Sequence, residues 1–461
     1  MTEPQSQPVP RATEPPLGSS ESAPSTSLAG TGGSLVGLGL VLGVLVLAAL
    51  AWFLLAPAPE LDTRRYINLF KNRQFETAEP ELRAHLRRSS RDPRAAFLLG
   101  QLILEETETP AGINPTDRTA EALELMTSCE DAPGLESLTT PATLLYYRGK
   151  ALYQLNRWEA AETAWLEAIK RDARVPEANW SLLDLYYLEN RRREARDLAL
   201  RLFPTEPDPR DQAQLLLELI REDAIHPDSG SIVKLMGPVV AAEPEAVSVR
   251  QALGLALVRS SQIDEGIAVL EKLASEHPND PRAWDGWLEA LDLAGRLDLF
   301  RPAYDRVPEA LRMTPVMARH RGLAFQIDED WKKAAESYKE AQSFDPTDFG
   351  LLVRLARAQK FADPDQARLL DDQVTAWREA STALLDLYDE ANGTRTLGVA
   401  PHTDLCERLA SSRIAMGRPD EAALWRQIGR GVTGTGRPVP KLSQGLSFSQ
   451  NSQILTEANR P

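Results

Sequence analysis

The sequence predicts an all-α protein: an array of helix-turn-helix repeats, preceded by one transmembrane helix and a disordered N-terminal tail. Three observations carry this expectation. A pattern of small, bulky and turn-forming residues returns every 34 residues through the middle of the 461-residue chain. Ahead of it runs an uncharged apolar stretch, Leu35 to Ala56. Residues 1–33, before that stretch, are rich in Pro, Ser, Thr and Gly with almost no large apolar side chains.

Such a leader cannot bury enough surface to offset the entropy of ordering, so residues 1–33 read as a disordered tail. Residues 34–57 read as the membrane helix. No charged residue lies between Glu21 and Glu60, and a helix from 35 to 56 spans roughly 33 Å, enough for a hydrocarbon core of about 30 Å. A cleaved secretory signal is the competing reading, with Ala56-Pro57-Ala58 as its cleavage box. The length of the run and the lack of a basic cluster before it favour an uncleaved anchor. Arg64, Arg65, Lys71 and Arg73 follow the span, against Arg11 before it, so the positive-inside rule places the body in the cytoplasm. Gly39 and Gly43 have the spacing that lets two membrane helices pack closely, which raises a homodimer.

Composition narrows the function. A net charge of −15 and a pI near 5.0 argue against a nucleic-acid binder, which needs a basic face to displace counterions from phosphate. Cys129 and Cys406 form no C-x-x-C pair and read as small buried hydrophobes. The five histidines are scattered and none belongs to H-E-x-x-H. Neither a G-x-S-x-G elbow nor a phosphate-binding G-x-x-x-x-G-K-[ST] loop occurs. Gly434-Thr-Gly436 is followed too soon by Pro438 to open a helix onto a phosphate. No catalytic residue, cofactor or metal ligand is assigned.

The repeat is clearest from Pro315 to Asp348, PVMARHRGLAFQIDEDWKKAAESYKEAQSFDPTD: helix, short polar turn, helix, proline stop. Units 281–314 and 247–280 abut it without a gap, and 142–175 with 176–204 form a second run. In the first helix Gly149, Gly254 and Gly322 are small enough for a close partner. In the second, Ala161, Ala195, Gly266 and Ala334 take a small site, with Trp165, Leu270 and Tyr338 one turn later. Outer units are more degenerate. Arg64 to Ser89, the stretch from Pro93, and the stretch ending near Arg430 fit, whereas 205–246 loses most signature residues and 349–400 begins as a unit and then departs. The array is bounded at 60–436, and residues 437–461 read as a flexible tail.

These residues at fixed offset resemble the tetratricopeptide repeat family. The resemblance implies a right-handed superhelical array whose first helices line a concave groove for a peptide or protein partner. Carried over position by position, it points to Tyr146, Tyr147, Lys150 and Tyr153 in the first clear unit and to Trp180, Asp184 and Tyr187 in the next. Further along, it points to Asp285, Glu289 and Asp292, then to Arg319 and His320. The groove would grade from aromatic through acidic to partly basic. Some family members hold the carboxylate end of a chaperone through Lys, Asn and Arg; here Lys150 matches one place, but Tyr146 and Asp184 occupy others. The expected function is a membrane-anchored binding scaffold. The alternative is a structural subunit that docks into a membrane-associated complex through its convex face or its membrane helix, leaving the groove idle.

Overall fold

The computed structural model describes residues 61–431 except 107–113, 174, 207 and 225–227. Among the described residues there are twenty-one α-helices and no strand. In order they are α1 (Thr63–Lys71), α2 (Phe75–Arg88), α3 (Pro93–Glu105), α4 (Pro115–Ser128), α5 (Pro141–Gln154), α6 (Trp158–Arg171), α7 (Pro176–Leu188) and α8 (Arg192–Leu202). There follow α9 (Pro209–Ala224), α10 (Ser229–Ala242), α11 (Val247–Arg259), α12 (Ile263–Glu276), α13 (Pro281–Leu293), α14 (Leu297–Arg306) and a single turn, α15 (Glu309–Arg312). The last six are α16 (Ala318–Ile327), α17 (Trp331–Phe344), α18 (Phe349–Ala362), α19 (Pro364–Thr396), α20 (Thr403–Ala415) and α21 (Pro419–Gly431).

The expectation of a transmembrane helix, and with it a single-pass membrane localisation, is corrected. No helix among the described residues is long and apolar enough to cross a membrane. The long α19 carries Asp, Glu and Arg throughout and cannot serve as one. Residues 1–33, the span at 34–57 with Gly39 and Gly43, and the tail at 437–461 lie outside the described residues. The fold class that stands is the all-α repeat array.

Local chemistry sets the helix starts. Asp92, Asn114, Thr140 and Asp280 each accept a hydrogen bond from a backbone N–H of the helix they open, and a proline follows each of them. The cap satisfies one orphan donor, and proline at the first position forfeits none.

The ends of first helices follow an equally regular rule. Asn156 and Asn190 have φ of 60° and 56°, while Ser261, Gly295 and Glu329 have 70°, 67° and 60°; each group is spaced 34 residues apart. The next residue's N–H reaches back five positions: Arg157 to Leu152, Arg191 to Tyr186, Gln262 to Leu257, Arg296 to Leu291, Asp330 to Phe325, all at 2.8–2.9 Å. This left-handed cap turns each first helix into its second.

The paired helices close over the small residues picked out by the sequence. A Cβ on Gly149 would lie 2.4 Å from Trp165 Nε1, one on Gly254 2.4 Å from Leu270 Cγ, and one on Gly322 2.6 Å from Tyr338 Cδ1. Ala161, Ala195 and Ala334 are fully buried on the facing helices.

The array is not a simple linear stack. Beyond α8, helix α9 packs against α19 and α21, while α10 packs against α11. Val374, Trp377, Leu384 and Leu387 of α19 accordingly share one core with residues of α1–α11. A charged cluster closes the contact. Arg196 on α8 bonds Glu421 at 2.9 Å and Asp420 at 2.5 Å. Asp223 on α9 pairs with Arg413 at 2.8 Å and with Arg418, and Arg413 lies 3.1 Å from Glu421. Arg413 and Glu421 are 0% and 1% exposed, so each depends on its partners in place of water. The Glu243 carboxylate, after α10, accepts from Glu159 N at 2.8 Å and Ala160 N at 3.3 Å at the start of α6, where the helix dipole favours negative charge.

Two outcomes follow. An L side chain in the left-handed region costs about 1–2 kcal/mol, part of which glycine returns in unfolded-state entropy. Ser261→Gly and Glu329→Gly are therefore each expected to raise the urea-unfolding stability by about 0.5–1 kcal/mol, and Gly295→Ser to lower it by a similar amount. In the closing cluster, burial alone would push Asp223 up, but Arg413 and Arg418 outweigh it and hold its carboxyl below the ordinary value. Asp223 then contributes stability above the unfolded value near 3.9, lost as pH falls through the lower folded value. Arg413→Met should cost about 3–5 kcal/mol at pH 7, and the gap from wild type should narrow in unfolding curves taken toward pH 3.

Candidate functional site

The first helices of the two clearest N-terminal units, α5 and α7, carry the aromatic strip. Tyr146 and Tyr147 are buried in its floor, with ring centroids 4.9 Å apart. The Tyr146 carbonyl accepts from Trp165 Nε1 at 3.2 Å, while Tyr147 Oη donates to Glu105 Oε1 at 2.5 Å and accepts from Gln101 Nε2 at 2.8 Å. Burial, then the Glu105 charge, holds the Tyr147 phenol well above its ordinary value. Both tyrosines are thus structural on one side, tying α5 to α3 and α6.

Lys150, Tyr153, Trp180, Asp184 and Tyr187 are half-buried and reach the surface of the strip. Tyr153 stacks on Trp158 at 5.2 Å. Lys150 makes no ion pair among the described residues; burial lowers its ammonium, with the Glu105 charge opposing. Burial, aided by Glu218 and opposed by Arg221, pushes Asp184 up to about 7. Arg221 is 2.7 Å from Glu218 and only 3.9 Å from Asp184, and its guanidinium lies over the Tyr187 ring at 4.2 Å.

Glu218 and Arg221 on α9 belong to the strip although the sequence reading passed them over. The signal was available: Lys150, Asp184 and Glu218 are successive positions 34 apart, and so are Tyr153, Tyr187 and Arg221. The stretch from 205 to 246 had lost its signature residues, and the period was not carried through it.

The other half of the expected groove is brought together differently. Asp285 receives His320 Nε2 at 2.8 Å and Gln251 Nε2 at 3.2 Å. Arg319 pairs with Glu289 at 2.8 Å, and Glu289 also with Arg259 at 2.8 Å. Arg354 on α18 closes on Asp292 at 2.7 Å. Burial raises Asp285, but Arg319, His320 and Gln251 together hold it below the ordinary carboxylate value. Burial also lowers His320, with its bond to Asp285 opposing. Asp285, Glu289, Asp292, Arg319 and His320, together with Arg259 and Arg354, form a network in which every acid has a close partner. The N-terminal strip, by contrast, leaves Lys150 and Asp184 without close counterions.

A strip of half-buried aromatic and charged side chains thus runs along the first helices of a helical repeat array. Residues 146–209 and 252–312 match the family model described as tetratricopeptide repeat, which supports that family as the class of these repeats. A tetratricopeptide repeat protein from Parabacteroides merdae is 16% identical with a TM-score of 0.26, covering 64% of this chain and 96% of that one. The C-terminal part of a repeat protein from Cytophaga hutchinsonii is 14% identical with a TM-score of 0.27, covering 64% and 99%. A chain of the human IFIT1 dimer is 12% identical with a TM-score of 0.33, covering 80% and 89%. Scores this low carry no argument about this chain. No curated protein matches the sequence.

The raised Asp184 gives a stability prediction. A carboxyl lifted by folding contributes stability below its unfolded value near 3.9, lost as pH rises through about 7. Because its side chain is 41% exposed, solvent screening reduces the effect to about 1 kcal/mol. Unfolding curves of Asp184→Asn against wild type should shift by that amount in the variant's favour between pH 4 and pH 8.

Proposed function

We propose that the chain is a non-catalytic scaffold, built from the repeat body 60–436, that holds an extended polypeptide partner on the strip formed by α5 and α7. The observation that carries this reading is the pairing pattern. Lys150 and Asp184 stand among Tyr153, Trp180 and Tyr187 without close counterions, whereas each acid of α13 is closely partnered, by His320, Arg319 or Arg354. Aromatic side chains with charged edges supply large contact area at low entropic cost, which is what partner hot spots require. Tetratricopeptide repeat proteins are generally non-catalytic and typically bind protein partners, which agrees with the absence of any catalytic motif in the sequence.

A second reading, docking into a larger assembly through an outer edge, draws on one observation. Leu293, Ile327 and Phe361 end successive first helices 34 residues apart, and Ile263, Leu297 and Trp331 start second helices at the same interval. Leu293 and Phe361 are 51% and 63% exposed.

Panning a random peptide library on the full-length protein separates the two. Enriched peptides should lose at least tenfold in affinity with Tyr153→Ala, Trp180→Ala, Tyr187→Ala combined, and less than twofold with Leu293→Ser, Phe361→Ser. The reverse ranking would overturn the strip and favour the edge.

A further inference from the structure

We infer that the α7–α9 end of the strip is a subsite for a lysine or arginine side chain of the bound polypeptide, held against Asp184 beside Tyr153. This rests on the scaffold reading above and names the chemistry that one end of the strip selects. The local charge balance points to a cation. With Asp184 ionised, it and Glu218 contribute two negative charges and Arg221 one positive, and Arg221 is committed to Glu218 at 2.7 Å. Asp184 has no partner nearer than the 3.9 Å of Arg221 among the described residues.

Every other acid of the predicted groove has a close partner: Asp285 has His320, Glu289 has Arg319, and Asp292 has Arg354, all within 2.8 Å. Asp184 remains the carboxylate with room for a counterion from outside.

The surroundings match a long basic side chain. Tyr153 on α5 lies within electrostatic reach of the carboxylate, and an aromatic wall accepts both the aliphatic stem and the charged head of such a residue. The strip also ends there. Helix α9 is covered by α19 and α21, and Tyr388 of α19 lies within electrostatic reach of Arg221.

The groups facing Asp184 are Tyr153, Glu218 and Arg221, and Arg221 in turn faces Tyr187 and Tyr388. Since burial holds Asp184 near half protonation at neutral pH, a bound cation expels that proton. Affinity for the basic residue therefore rises with pH.

The test uses the full-length protein and fluorescein-labelled ten-residue peptide pools, blocked at both ends, with a central Lys, Arg, norleucine or Glu in otherwise random sequence. A further norleucine pool has a free N-terminus. The Lys and Arg pools should bind about tenfold tighter than the blocked norleucine pool, and that preference should grow from pH 6 to pH 8 in the wild-type protein. Asp184→Asn should abolish the preference while leaving binding that Trp180→Ala weakens; the pH profile of wild type stands on its own if the variant does not fold. Equal binding of all blocked pools, still lost in the Tyr153, Trp180, Tyr187 triple variant, overturns the cation subsite and leaves the scaffold reading intact. Tighter binding of the free-N-terminus pool than of the Lys pool overturns the side-chain assignment in favour of a terminal ammonium. Failure of every pool to bind overturns both readings.

Discussion

The structure depends on the close approach within each helix pair, where a bulky side chain of the second helix sits on the bare backbone of the first. Trp165 on Gly149, Leu270 on Gly254 and Tyr338 on Gly322 leave no room for even one methyl group. This contact fixes which face of the first helix turns inward to its partner, and hence which face remains to form the strip. Side chains three or four positions from the glycine, such as Tyr146 and Tyr153 around Gly149, take their positions from that geometry. The proposed binding surface thus takes its shape from residues that lie beneath it.

Much of this was legible because the repeat writes the same constraint many times. One glycine opposite one tryptophan means little, but a glycine followed 16 residues later by a bulky side chain in three separate units marked the facing small residues and their partners. The left-handed turns were invisible for the opposite reason: Asn156, Ser261 and Glu329 share no chemistry, and only the backbone reveals that they share a conformation. The graded groove was half legible. Asp285, Glu289, Arg319 and His320 were assigned to one groove from their repeat positions, whereas the pairing of its acids with Arg259 and Arg354 has a register that no motif marks.

The reach of α19 was beyond sequence reasoning altogether. From Pro364 the chain keeps helical periodicity for 33 residues without the usual break, and nothing local says that its apolar face will meet α9 rather than its sequential neighbours. Likewise Arg196, Asp223, Arg413 and Glu421 are ordinary charged positions in four separate stretches until the fold assembles them. Long-range polar closure leaves no periodic trace, whereas stacking does.

That closure changes how such a chain can come apart. In a purely linear array each unit communicates only with its neighbours, and the ends fray independently of the middle. Here residues nearly 200 positions apart are joined, as Asp223 is to Arg413 and Arg418, so the last two helices cannot leave without stripping α9 of its cover. The cost of a loop that long falls on the folding rate, and the reward is cooperativity. The C-terminal helices behave as a keystone for the middle of the chain, and damage at residue 413 is felt where the strip ends.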